Sequence, residues 1–280
     1  MDFQSLVDTI ESLPPLSNAA ILIQKLYENG ASEVNITKLV KLIESDAVLT
    51  ANILKMINSP LYGFTKQIAS VSQAVTLFGT EMIQGLVLHY AINERMKANT
   101  EMFGVSPAIF NDVCQLQSSL VMQWYSKIDI RQAQFLTPLA LIMESGKLVM
   151  AKDVMKNNFA QKFKEGYLSS KNTVEFEDSV YKTSSYFVSG ILFEHWNLEP
   201  LYVEILKAID YEPEYATDKI ESYTDTLAVI KTAVNPKEIL TKESVLRAAR
   251  LVKDLGFDEE SFINIALRIK KTYIQNLKNR

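Results

Sequence analysis

Asp46-Ala47-Val48-Leu49-Thr50-Ala51-Asn52-Ile53-Leu54-Lys55-Met56-Ile57-Asn58-Ser59-Pro60-Leu61-Tyr62-Gly63 is the stretch that decides how the rest of the chain reads. Asp46 can cap a helix that begins at Ala47. Leu49, Ile53, Leu54 and Ile57 recur at three- and four-residue spacing and so share one face. Ser59-Pro60 and Tyr62-Gly63 then stop the helix. The same pattern extends outward in both directions. Ser17 and Asn18 precede a stripe of Ile21, Ile23, Leu26 and Tyr27, which Gly30 ends. Asn35 precedes Ile36, Leu39, Val40 and Ile43. Ser70 opens a short helix through Leu77 that Gly79 closes, and Thr80 begins a longer one with Met82, Leu86, Tyr90 and Met96.

Beyond residue 108 the spacing predicts helices near 109–127, 132–154, 158–168, 183–196, 200–210, 217–234, 242–254 and 258–278. Pro200 falls where a first-turn proline is tolerated, and Asp258 caps the last helix. Thr173–Phe176 is the best strand candidate. The expected fold is therefore all-α. Ala98-Asn99-Thr100, Gly104 and Pro107 make the stretch 98–108 polar and breaker-rich. It divides the chain into an N-terminal lobe (1–97), a short connection (98–108), a second helical lobe (109–215) packed on the first, and a C-terminal helical extension (216–280).

Composition narrows the function. The chain has 280 residues, 48% apolar and 22% charged, so it can bury a sizeable core. A single Cys114 excludes an internal disulfide framework and any thiolate zinc cluster. The start carries no basic segment followed by an apolar one, and no apolar run approaches the roughly 18 residues of a membrane span. A cytoplasmic location without membrane contact is expected. The net charge of −4 argues against broad nucleic-acid binding. The cations near the C-terminus (Arg268, Lys270, Lys271, Lys278 and Arg280) read as a solvated helix end. The glycines form no phosphate-cradling loop.

Imidazole and thiolate are too scarce for a metal site of those ligands: His89, His195 and Cys114 are all there is. His89 lies in an apolar helix and reads as a satisfied core histidine. His195 reads as a capping or packing residue at a helix end. Glu177-Asp178 and Glu259-Glu260 read as solvated charges that complement helix dipoles. Glu144 differs, because Ala140-Leu141-Ile142-Met143-Glu144-Ser145-Gly146-Lys147-Leu148 surrounds an acid with apolar residues. A structural pair with Lys147 at i+3 and a functional acid are both open.

Leu13-Pro14-Pro15-Leu16, Asp46-Ala47-Val48-Leu49-Thr50, Ile57 through Gly63, Ser70-Val71, Gln73-Ala74-Val75 and Leu77-Phe78-Gly79 follow one another in the order and spacing of a known family. Over most of residues 13–95 the chain resembles the HDOD domain, the HD-related output domain of bacterial signalling proteins. Its signature here is Asn58, Ser59, Tyr62 and Gly63. The second half resembles the HD-superfamily core. There the resemblance implies a metal-holding His-Asp pair in "L-L-H-D-x-G-K". This chain has Met143 for the histidine and Glu144 for the aspartate, while Gly146 and Lys147 remain. The other expected imidazoles align with Val113, with Ser185, and near Tyr211-Glu212-Pro213. A thioether and aliphatic groups cannot replace imidazoles around a metal-bound hydroxide.

The resemblance thus implies a multi-helix HDOD fold with no catalytic residues, no metal and no cofactor. It implies a regulatory module that acts through unidentified signalling proteins. A small anionic or nucleotide ligand would sit in a remnant pocket at Met143, Glu144, Lys147 and Ser185. The competing expectation is a metal-dependent phosphohydrolase with carboxylate ligands.

Overall fold

The computed structural model describes residues 1–64, 66–211 and 217–279. In chain order its helices are α1 (Phe3–Glu11), α2 (Asn18–Gln24), α3 (Ile36–Glu44), α4 (Ala47–Ile57), α5 (Val71–Met96), α6 (Pro107–Trp124), α7 (Ile130–Ile142) and α8 (Ser145–Lys156). There follow α9 (Ala160–Ser169), α10 (Thr173–Tyr181), α11 (Ser185–His195), α12 (Pro200–Ala208), α13 (Asp218–Ala233), α14 (Lys242–Asp254) and α15 (Glu259–Lys278). Among the described residues there is no strand, and an isolated antiparallel bridge joins Val234 to Ile239. The fold is all-α, as the periodicity predicts.

The expected caps form. Ser17, Asn35, Asp46 and Asp258 each accept a backbone N–H in the first turn of the helix they precede. Gly79 interrupts α5 with φ 80° and ψ 169°, a conformation a side chain would resist. The strand expected at Thr173–Phe176 is instead the start of α10. Asn172 Oδ1 accepts from Val174 N and Glu175 N, which starts a helix, and Phe176 packs edge-on against Phe163.

The helix expected over 132–154 is two helices. Met143 and Glu144 separate α7 from α8, where Ser189 Oγ takes over backbone bonding on either side of the break. That hydroxyl donates to Met143 O at 2.7 Å and accepts from Gly146 N at 2.7 Å. Gly146 must be glycine: a Cβ there would lie 1.9 Å from Ser185 O on α11.

The chain forms two compact units, each assembled from separate stretches. One comprises residues 1–15, 95–114 and 143–257, the other 16–94, 115–142 and 258–280. These differ from the sequence divisions at 97/98, 108/109 and 215/216 for identifiable reasons. In the first unit, α1 is tied to α8 by hydrogen bonds from Ser5 and Thr9 to Asp153. The stretch 98–108 is core in the same unit: Phe103 is buried and packs edge-on against Phe163 and Tyr167. In the second unit, α15 joins the end of α6 through Phe262 on Trp124 and Arg268 on Gln123.

Among the described residues α5 is the helix long and apolar enough to cross a membrane, with a mean hydropathy of 1.2 over its best window. This corrects the expectation that no such stretch exists. The window is 56% buried within the protein.

Candidate functional site

The first unit holds the residues aligned with the HD motif. Glu144 follows the break between α7 and α8, and Lys147 lies one turn on. Lys147 Nζ is 2.8 Å from Glu144 Oε2, 3.6 Å from Glu177 Oε1 and 2.7 Å from Ser185 Oγ, to which it donates. Glu144 and Glu177 are each 1% exposed. The expected i+3 pair is present, as a buried triad with Lys147 between two carboxylates. Tyr186 completes it. Its hydroxyl donates to Glu144 Oε1 at 2.9 Å, and its ring lies under Lys147 Nζ at 4.7 Å.

Glu177 corrects the reading of a solvated charge. It does complement a helix dipole, but that of α11, by accepting from Ser185 N at 2.7 Å. Burial raises its pKa, against the pull of Lys147. Burial also opposes the charge on Lys147, yet Glu144 and Glu177 outweigh it and hold the pKa well above the ordinary value. Burial and then the charge of Glu144 raise Tyr186 far above a normal phenol. Lys147 is thus a fixed cation and Tyr186 a fixed donor. Neither is poised as a general base or nucleophile.

Of the expected remnant-pocket residues, the structure brings Glu144, Lys147 and Ser185 into contact. Met143 is buried beside them and contributes its carbonyl to Ser189. Met143, Glu144 and Ser185 are enclosed. Lys147, Glu177 and Tyr186 form one wall of an adjoining cavity of about 850 Å³. Lys171, Lys231, Lys237 and Arg247 also line it, as do Asp210 and Glu238. Cations outnumber carboxylates on its wall, although the chain is acidic overall. Lys231 pairs with Asp210 and lies 4.9 Å from the Tyr186 ring centroid. Sequence reading missed Glu177, Tyr186, Asp210 and Lys231, because helices distant in sequence carry them to this wall.

A divalent metal of the HD type does not fit this donor set. The aligned histidine position is a methionine, the aligned carboxylate is held by an ammonium and a phenol, and the described residues contain no group of three or more His, Cys, Asp or Glu suited to a metal. Val113 is buried and has no donor side chain. Of the Tyr211-Glu212-Pro213 alignment, Glu212 and Pro213 lie outside the described residues.

The signature Asn58–Gly63 belongs to the second unit and has an architectural role there. The Asn58 amide donates to Leu54 O and Ile68 O and accepts from Ile68 N, all within 2.9 Å, so it ties the loop after α4 at both ends. Ser59 Oγ accepts from Leu61 N. Ser119 and Gln123 of α6 donate to Leu61 O. Tyr62 is buried, and Gly63 turns the chain with φ 76°. Phe64 follows, 41% exposed, with its ring on Phe78. Phe78 lines a groove of about 250 Å³ with Leu77, Met82, Met122 and Ile130. His89 is satisfied in the core, with Nδ1 3.2 Å from Leu141 O. His195 is exposed in the last turn of α11, so it suits the helix dipole and has no packing role.

A family model for the HDOD domain matches residues 13–211. An uncharacterized protein of Treponema pallidum (strain Nichols) is 32% identical over 83 residues, which is 30% of this chain and 16% of that protein. The chain therefore spans about a sixth of that relative's length. Two solved structures share the fold. A protein from Shewanella amazonensis SB2B, named as a candidate phosphohydrolase, superposes with a TM-score of 0.70 at 16% identity, covering 95% of this chain and 93% of that one. A protein from Marinobacter aquaeolei VT8, named as a candidate signal transduction protein, superposes with a TM-score of 0.65 at 17% identity, covering 97% of this chain and 64% of that one.

Proposed function

This chain belongs to the HDOD domain family, and we propose that within it the chain is a non-catalytic regulatory module that works by binding another protein. One observation carries this reading. The carboxylate at the HD position is neutralised by the chain's own Lys147 and hydrogen-bonded by Tyr186. A metal would have to displace a buried, strongly paired ammonium. The phosphohydrolase alternative needs Glu144 as a metal ligand and is disfavoured for the same reason. The signalling name of the Marinobacter protein agrees with a regulatory role. The module acts in the cytoplasm.

The partner docks on the groove beside the signature turn. Leu77 and Ile130 are half exposed there, next to Phe64. A small anionic ligand occupies the cavity beside the Lys147 triad. Hydrolysis of bis-p-nitrophenyl phosphate with added Mn²⁺ tests the non-catalytic claim. No turnover above the protein-free blank is expected. Mn²⁺-dependent turnover that Glu144→Ala abolishes would overturn it. For the docking claim, a partner crosslinked to the wild-type chain in cells should be lost from Leu77→Asp/Ile130→Asp. Its retention would move the contact elsewhere.

A further inference from the structure

The cavity beside the triad is lined by two chemically different sets of groups. One set is cationic and comes largely from residues beyond the family match. Lys237 Nζ donates to Tyr167 O and Ser170 O at the end of α9, and Arg247 of α14 pairs with Glu238. Lys171 stands on the same wall. Lys237 is fastened by neutral carbonyls, so its full charge remains for an anion.

The other is an acceptor. The Asp210 side chain is 4% exposed. Its Oδ1 pairs with Lys231, while its Oδ2 is buried with no hydrogen-bond partner among the described residues. A buried carboxylate oxygen without a donor is costly, and a ligand hydroxyl or amino group would relieve it. The volume, about 850 Å³, is within the range of small-molecule sites.

We propose that the cavity binds a small polyhydroxylated or amino-bearing organic acid, whose phosphate or carboxylate meets Lys171, Lys237 and Arg247 and whose donor group meets Asp210. This rests on reading the cavity as an anion site. It adds that Lys237 and Arg247, outside the HDOD match, meet the acidic group, and that Asp210, inside the match, supplies a second contact.

Calorimetric titration of the full chain tests this with inorganic phosphate, ribose 5-phosphate, gluconate and ribose as probes. Ribose 5-phosphate or gluconate should bind at least about tenfold more tightly than phosphate, a difference of about 1.4 kcal/mol, and ribose should not bind. Preference for one of the two acids identifies the acidic group as phosphate or carboxylate. Lys237→Ala/Arg247→Ala should weaken every anion about tenfold or more. Asp210→Asn should bring the tighter acid down to the phosphate level and leave phosphate unchanged. Lys270→Ala/Lys271→Ala, on α15, should change nothing. Circular dichroism and the thermal midpoint of each variant separate lost binding from lost folding. Should Asp210→Asn unfold the chain, the wild-type ranking of ribose 5-phosphate and gluconate over phosphate decides. Equal binding of phosphate and the hydroxylated acids, indifferent to Asp210→Asn, would overturn the second contact at Asp210 and leave the anion reading standing. No anion binding at millimolar concentration would overturn both.

Discussion

Glu144 and Asp153 lie at the two ends of α8 region, in the same unit, and both carboxylates are buried, yet they are satisfied in opposite ways. Glu144 is met by an ammonium and a phenol. Among the described residues Asp153 pairs with no cation and is held by hydrogen-bond donors. Tyr181 donates at 2.8 Å, Asn157 at 3.1 Å, Thr9 at 3.2 Å, and Ser5 also donates. Three of those donors come from α1 and α10, so Asp153 fastens both helices to α8. The comparison teaches that a buried acid is held either by charge or by a converging set of hydrogen bonds. Only the first arrangement uses up a position at which the HD superfamily would place a metal ligand.

The largest effect should come from breaking the charge-held site. Lys147→Met leaves Glu144 and Glu177 buried without their cation, and about 3–5 kcal/mol of stability should be lost. Urea denaturation measures this, and Lys147→Met/Glu144→Gln should recover part of the loss. Asp153→Ala should cost less, about 2 kcal/mol, because it strands several neutral donors and no charge. Hydrogen exchange should show α1 opening first in that variant.

The two sites respond to alkaline pH in the same direction. Folding raises the pKa of Lys147, and it raises Tyr186 and Tyr181 as well. The folded chain therefore holds protons that the unfolded chain releases. The stability from these groups is complete below the ordinary lysine and tyrosine values and is lost as pH rises through the folded ones, by about 1.4 kcal/mol per pH unit for each group. Denaturation midpoints above pH 10 should fall steeply, and less steeply in Lys147→Met. The smallest effect is expected from Glu177→Gln, under about 1 kcal/mol at neutral pH, since glutamine still accepts from Ser185 N. Burial raises the Glu177 pKa, so its ionised form is disfavoured by folding and its contribution falls as pH rises through that raised value. Glu177→Gln should remove this acid-side dependence.

Local signals made much of the fold legible. Asp46, Asn35 and Ser17 mark helix starts because capping is decided within one turn. Glu177 was not legible for the opposite reason. Nothing near it says that Lys147 and the first N–H of α11 converge on its carboxylate. The α7–α8 break depends in the same way on Ser189, a hydroxyl from a distant helix. Of the candidate site, the motif spacing pointed to Glu144, Lys147 and Ser185. The cavity wall from Asp210 to Arg247 needed the tertiary structure.

The measurement that bears most directly on the central claim is the metal content of chain purified without chelator or affinity-tag metal, by mass spectrometry. With Lys147 as the resident cation, less than about a tenth of an equivalent of Mn or any transition metal is expected. A stoichiometric metal that disappears in Glu144→Ala would contradict the account.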